Sequence, residues 1–339
     1  MTRFRVREEG WPTTGQAPPH KGPRLALVIL LAAAALTIAA VPVWHARSAP
    51  TASAATDVHR HGMAGAAPPP LQLPTRVAPL PAPPGPVPFA QYQEIHANCT
   101  VTGHRDDDPI VFPGQPGVSH NHTFAGNTAT DAYSTAATLL PGKTSCQDSA
   151  DESAYWVPTL YRNGTLVDPS SFTMYYKSGV KDYRTVRPFP TNFRLVVGSM
   201  LTPDVAHFQG NWQCGGSGPQ PEIPSSCPAG SALIVHLKAP SCWDGLNLDS
   251  ADHKAHMVWP VKGSCPADHP VALPMLEIKV GYKLPGGITT GLRYSSGASY
   301  SFHYDFLNAW QPDRLAYLVK HCINEGRQCN GYGVDQHKP

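Results

Sequence analysis

Tyr155-Trp-Val-Pro-Thr-Leu-Tyr161, followed by Arg162-Asn-Gly-Thr165 and Leu166-Val167, sets the fold class. Aromatic and β-branched residues run up to an Asn-Gly pair, whose two positions accept the positive φ that a two-residue hairpin turn demands. The stretch reads as a β-hairpin. Outward from it, Phe172 to Tyr176, Phe193 to Val197, Ala232 to Leu237, Leu276 to Tyr282 and Tyr300 to Phe306 are short runs of the same kind, parted by Gly, Pro and Asn. Only Pro312 to Ile323 carries a helical pattern, with Pro early and Leu315, Leu318, Val319 and Cys322 on one face. The expectation is a mainly β domain, a sandwich or jelly roll, closed by a C-terminal helix and disulfide-bonded.

That domain should run from Phe89 to about Tyr332, because what precedes it has another character. Residues 1–24 carry Arg3, Arg5, Arg7, Lys21 and Arg24 against Glu8 and Glu9. Leu25 to Trp44 then runs uncharged for a length that, as a helix, crosses a bilayer's hydrocarbon core. The basic flank puts the N-terminus in the cytoplasm and the rest outside. The segment is a single-pass anchor, or a signal peptide cleaved at Ala52-Ser-Ala54. Residues 45–88 form an Ala/Pro-rich linker, with 11 prolines in the 41 residues from Ser48 to Pro88. Proline fixes φ and lacks the N–H donor, so the linker should be an extended spacer.

Charge and cysteine usage bound the function classes. From position 90 onward 10 Lys and 8 Arg stand against 16 Asp and 5 Glu, a net charge of −3. That balance gives no electrostatic footprint for nucleic acid. All eight cysteines lie between Cys99 and Cys329. Beyond an export segment, disulfides are the expected use. Eight cysteines admit 105 pairings; the local pairs Cys322–Cys329 and Cys242–Cys265 come first, then Cys99–Cys146 and Cys214–Cys227. A structural zinc site is the rival, but no Cys-x-x-Cys knuckle occurs.

The residues that suggest chemistry are histidines paired with carboxylates. His120 and His122 are two apart, so on a strand both imidazoles project from one face. His303 and Asp305 repeat that spacing. His253 and His256 are three apart, neighbours on a helical turn, with Asp249 and Asp252 beside them; His269 precedes Pro270. An isolated histidine is ordinarily a surface or satisfied core residue, but this set invites a shared site. One arrangement is a divalent metal ion on His120, His122, His256, Asp249 and His269. Proton transfer would then fall to His253, Asp252, His303 and Asp305. Asp106-Asp107-Asp108 could hold a hard cation; before Pro109 a solvated turn is the preferred reading. Gly-x-Ser-x-Gly, phosphate-loop, His-Glu-x-x-His and dinucleotide fingerprints are absent.

Several segments together resemble the family called domain of unknown function 1996, over about residues 90–325. They are Asp108-Pro-Ile-Val-Phe-Pro-Gly-Gln-Pro-Gly-Val-Ser-His-Asn-His122, Tyr155 to Tyr161, Cys242-Trp-Asp-Gly-Leu-Asn-Leu-Asp-Ser-Ala-Asp-His-Lys-Ala-His-Met257, Cys265-Pro-Ala-Asp-His-Pro270 and His303-Tyr-Asp-Phe306. The resemblance implies a secreted protein of actinobacterial or fungal type. Some fungal members look to be joined to wall-associated carbohydrate-binding modules, which implies a polysaccharide partner. The expected function is an extracellular polysaccharide hydrolase or lyase with a His/Asp, metal-binding site, membrane-bound through residues 25–44 or secreted. The alternative is a non-catalytic cell-wall or glycan-binding module.

Overall fold

The computed structural model describes residues 75–337. The basic segment, the apolar run 25–44 and most of the Ala/Pro linker lie outside the described residues. Among the described residues no helix is long and apolar enough to cross a membrane.

Strand alternation builds the larger sheet. In Glu94–Cys99 every second residue, Ile95, Ala97 and Cys99, is buried and the others are partly exposed, as a strand with one face on a core must be. Ser171–Ser178 repeats the pattern with Phe172, Met174 and Tyr176. The six-stranded sheet runs, in spatial order, Gln328–Asn330, Glu94–Cys99, Ser171–Ser178, Pro274–Lys283, Ala232–Lys238 and Asn211–Cys214. Its first pair is parallel and the rest antiparallel.

The second sheet has five antiparallel strands in the order Val101–Arg105, His122–Gly126, Ala154–Pro158, His303–Leu307 and Arg194–Gly198. Its inner face carries Ala125, Tyr155, Val157, Leu195, Val197, Tyr304 and Phe306, which join Met174, Tyr176 and Ile278 of the larger sheet in one core. Tyr176 lies 6.4 Å from Phe306, ring to ring, and its hydroxyl is 2.6 Å from that of Tyr155. The domain is therefore a β-sandwich, as expected.

The outer face of the five-stranded sheet is also covered. Phe124, Ala154, Trp156 and Leu307 pack there with Ile110, Ala136 and Leu139 in a second, smaller core under the 106–140 segment. Three strands of this sheet, His122–Gly126, Ala154–Pro158 and His303–Leu307, are consequently buried at every position. A strand covered on both sides shows no polar stripe. Any polar side chain on its outer face is locked inside the protein.

The hairpin forms where the Asn-Gly pair placed it. Leu160–Arg162 pairs with Thr165–Val167 across Asn163 and Gly164, both at positive φ (50° and 82°). The run from Tyr155 to Tyr161 is not one strand, however. It breaks at Thr159, whose N–H donates to the Asn121 carbonyl and whose carbonyl accepts from Ser295. Ala154–Pro158 stays in the sandwich, and Leu160–Arg162 joins a separate three-stranded sheet. The run from Tyr300 likewise starts as a 3₁₀ turn, Ser299–Ser301, before the strand His303–Leu307. The C-terminal helix spans Pro312–Leu318 and continues as a π turn over Val319–Ile323, with Leu315, Leu318, Val319 and Cys322 buried.

The eight cysteines form Cys99–Cys146, Cys214–Cys227, Cys242–Cys265 and Cys322–Cys329. Four disulfides fit an extracellular, oxidising compartment. The end of the linker departs from a free spacer. Arg76 Nε donates to the Asp244 carbonyl and Val77 N to that of Gly245, both at 2.6 Å, so the chain is strapped to the domain before Phe89.

Gly126, at φ 88°, gives the first stability prediction. A Cβ there would come 2.3 Å from the Ser153 carbonyl oxygen, contact that a real side chain cannot make. Gly126→Ala should cost about 2 kcal/mol or more in urea unfolding. An unchanged midpoint would show that the turn into the smaller core is not held by this backbone.

Candidate functional site

Register brings the histidines together. His122 pairs with Pro158, Phe124 with Trp156, Trp156 with Asp305, Asp305 with Val196, and His303 with Gly198. Alternation puts all of these on the outer face. One row reads His122, Pro158, His303, Gly198 and the next Phe124, Trp156, Asp305, Val196. Proline and glycine leave the first row low on either side of His303. His120 enters from just before its strand, its ring centroid 4.2 Å from His122 and 5.1 Å from His303.

Three of the clustered residues, His120, His122 and Asp305, have buried polar atoms without a hydrogen bond. His122 Nδ1 donates to the Asp107 carbonyl at 3.0 Å, and His303 Nδ1 to the Ser301 carbonyl at 2.9 Å. A carbonyl only accepts, so both rings are Nδ1–H tautomers with the Nε2 lone pair free. His120 Nε2 and His122 Nε2 are buried with no hydrogen-bond partner, as are both carboxylate oxygens of Asp305. Asp108 belongs to the same cluster. Its Oδ1 accepts the Ile110 and Val111 N–H groups at 3.0 and 2.9 Å.

Burial dominates the electrostatics. It drives the His303 imidazolium down to about 3, with the charges of His120 and Lys254 adding to the shift. It holds His122 well below the ordinary imidazole value and lowers His120. It lifts the carboxyls of Asp305 and Asp108, Asp305 well above the usual range. All three imidazoles are thus neutral and able to donate lone pairs.

The donor set suits a transition metal. One ligand atom each from His120, His122 and His303 lie within 4.8 Å of one another, and so do one each from Asp108, His122 and Asp305. Metal–nitrogen and metal–oxygen bonds run about 2.0–2.2 Å, so a closure of an ångström or less would bring the three nitrogens onto one ion. Backbone carbonyls fixing the Nδ1–H of ligating imidazoles are the usual support for such a centre.

The remaining candidates do other work. His256 is satisfied at both nitrogens: Nε2 donates to the Arg194 carbonyl at 2.8 Å, and Nδ1 meets Ser250 Oγ at 2.9 Å. It is not placed to ligate. Asp249 holds His253 Nδ1 at 2.9 Å and lies 3.8 Å from Arg194. Asp252 caps the turn through the N–H groups of Lys254 and Ala255, which pull its carboxyl down to about 2. His269 donates to the Ala255 carbonyl at 2.9 Å and stands outside the cluster. His253 and His256 do not share a helical turn, since 248–256 is a chain of tight turns with His253 at φ 58°. This segment covers the open edge of the Arg194–Gly198 strand through bonds from Arg194 N to Leu248 O and from Val196 N to His253 O.

Lys254 is the residue sequence reasoning missed, and Asp108, expected in a solvated turn, is instead buried. The acidic triplet does form a turn: Asp106 Oδ1 accepts from Asn121 and Asp107 Oδ1 from Gly117 N. Its third member nevertheless faces the cluster. Lys254 Nζ donates to the Gly198 carbonyl at 2.6 Å, and its charge favours the ionised form of Asp305. Its place beside Asp252 and His253 was the available signal.

No curated protein and no solved structure matches the chain. The family model described as Domain of unknown function (DUF1996) matches residues 108–310. The match opens on Asp108 and runs five residues past Asp305, so it encloses the whole cluster. The chain belongs to the DUF1996 family.

Proposed function

We propose that this protein is an extracellular, metal-dependent enzyme that acts on polysaccharide as a hydrolase or lyase, with the metal on His120, His122, His303 and Asp305. One observation carries the reading: the buried Asp305 carboxyl, neither oxygen of which has a hydrogen bond, stands 4.0 Å from His303 and among neutral imidazoles whose lone pairs turn inward. Burying an unpaired carboxylate costs several kcal/mol, and a bound cation removes that cost. Nitrogen and oxygen donors without sulfur favour zinc, iron, manganese or copper.

When bound, such an ion polarises a substrate oxygen or acidifies a water. The chain's own residues would divide the rest. Asp107 and Ser301 hold two ligands in their tautomer through backbone carbonyls. His253, oriented by Asp249 and close enough to Asp108 for its charge to be felt there, would carry protons in and out. The apolar segment 25–44 would anchor the domain at the membrane, or be removed on secretion.

Metal analysis of the purified protein, dialysed against each candidate ion and then against buffer, tests the proposal. About one equivalent is expected, together with polysaccharide cleavage that a chelator stops. Less than a tenth of an equivalent with every ion would end it. The second reading, a non-catalytic glycan-binding module, is favoured by Trp259, which faces solvent in the wall of a cavity of about 540 Å³. On that reading polysaccharide binds without new reducing ends or unsaturated products.

A further inference from the structure

A cavity of about 540 Å³ lies along the Arg194–Gly198 strand, within the ~300–1,000 Å³ usual for ligand sites. Val196 and Gly198 form part of its wall. The same two residues pair with Asp305 and His303 across the sheet, so the cavity and the cluster share a strand as their boundary. Lys254 also lines the cavity, and its charge reaches His303 and Asp305.

The lining has a definite chemistry. Trp259 is 45% exposed, large for an indole with no structural reason to face water. Phe208 and Met257 add apolar surface, and Thr202, Gln209 and Ser199 add hydrogen-bonding groups. No Asp or Glu lines the cavity, in a domain whose net charge is negative. The Lys254 ammonium makes one hydrogen bond, to the Gly198 carbonyl, and no ion pair among the described residues. An ammonium has three donors, so two remain for a ligand. His207, the other ionisable lining residue, is engaged with Asp204 at 2.7 Å.

We infer that this cavity is the substrate subsite of the proposed metal centre and takes an acidic sugar, its carboxylate on Lys254 and its ring face on Trp259. The inference rests on the metal-centre reading and narrows its substrate to uronate-bearing polysaccharide. An unpaired lysine in a carboxylate-free pocket attracts an anion, and an exposed aromatic face suits the C–H face of a pyranose.

Calorimetric titration of the purified protein with trigalacturonate, its methyl ester and cellotriose tests it. Trigalacturonate should bind at least tenfold more tightly than either neutral ligand. Trp259→Ala and Lys254→Met should each weaken it tenfold or more, with Trp259→Phe retaining most of the affinity. Lys254→Met should also bind acid and ester alike. No binding of trigalacturonate, or an acid preference surviving in Lys254→Met, overturns the subsite. Metal content separates the two ideas, since Trp259→Ala leaves the cluster untouched. Metal bound without acidic sugar sinks only the subsite. Acidic sugar bound with these losses but without metal sinks only the metal centre.

Discussion

His122→Ala and His303→Ala should each lower metal affinity by more than about 100-fold, since even residues that merely support a ligand are worth 10–100-fold. His122 is wholly buried, and its Nε2 meets no other atom that could use its lone pair. Removing the ring also takes away the hydrogen bond to the Asp107 carbonyl, or in His303→Ala to that of Ser301. Without metal the variants should therefore be about 1–3 kcal/mol less stable than wild type. A further difference appears on adding metal. Wild type at 1,000 times its dissociation constant gains about 4 kcal/mol, whereas the variants gain almost nothing. His269→Ala is the control: that ring bonds the Ala255 carbonyl away from the cluster, and the variant should keep its full equivalent. Wild-type affinity in both His122→Ala and His303→Ala would remove the basis for the centre.

Relative to Asp151→Asn, the wild-type protein should lose stability as the pH rises from about 4 to 7. Asp151 is completely buried between the two sheets. Its carboxylate accepts from Tyr155 Oη at 2.8 Å; Tyr155 meets Tyr176, and Trp310 Nε1 donates to Tyr176 at 3.0 Å. Burial outweighs these bonds and pushes the carboxyl up to about 7 from 3.8. The folded state therefore keeps a proton that the unfolded chain has released. The contribution is whole below about pH 4, shrinks as the pH rises, and is gone above 7. At about 1.4 kcal/mol per unit it amounts to roughly 4 kcal/mol at most.

Glu94 and Glu277 act in the opposite sense. Burial opposes their charge, but His96 and Gln328 at Glu94, and His236 and Lys177 at Glu277, hold both near 2. Their stabilisation is present above about 4.5 and is lost as the pH falls toward 2. The buried imidazoles of His122 and His303, held below their ordinary value, also favour the fold more as the pH rises toward 6.5. The contribution of Asp151 is therefore read as a difference: Asp151→Asn keeps an acceptor oxygen but does not titrate, so the guanidinium midpoint of wild type minus that of the variant should fall between about pH 4 and 7. A difference that stays constant over that range would show that Asp151 is ionised in the fold.

Much of the site was legible because spacing survives folding. His303 and Asp305, two apart on a strand, had to share a face once the strand existed. His120 lies just before the strand that starts at His122, so the chain leading into that strand, not strand alternation, brings its ring 4.2 Å from His122. The 249–256 segment was misread because Asp, His and Ser at three- and four-residue spacing fit a helix as well as a series of capped turns. In the folded chain Asp252 spends its carboxylate on backbone N–H groups, and His256 spends both nitrogens on Arg194 and Ser250.

Local sequence determined the β class, the Asn163-Gly164 hairpin, the helical pattern near the C-terminus and the histidine pairs, since each depends on neighbours within a few residues. Only the tertiary structure decided which histidines meet. Joining His120 and His122 to His303 needs strands far apart in the chain to stand in register around Pro158. Burying Asp305 needs the 106–140 segment to cover the sheet's outer face. Those contacts are long-range pairings chosen by the packing of both sheet faces, and no spacing within one strand encodes them.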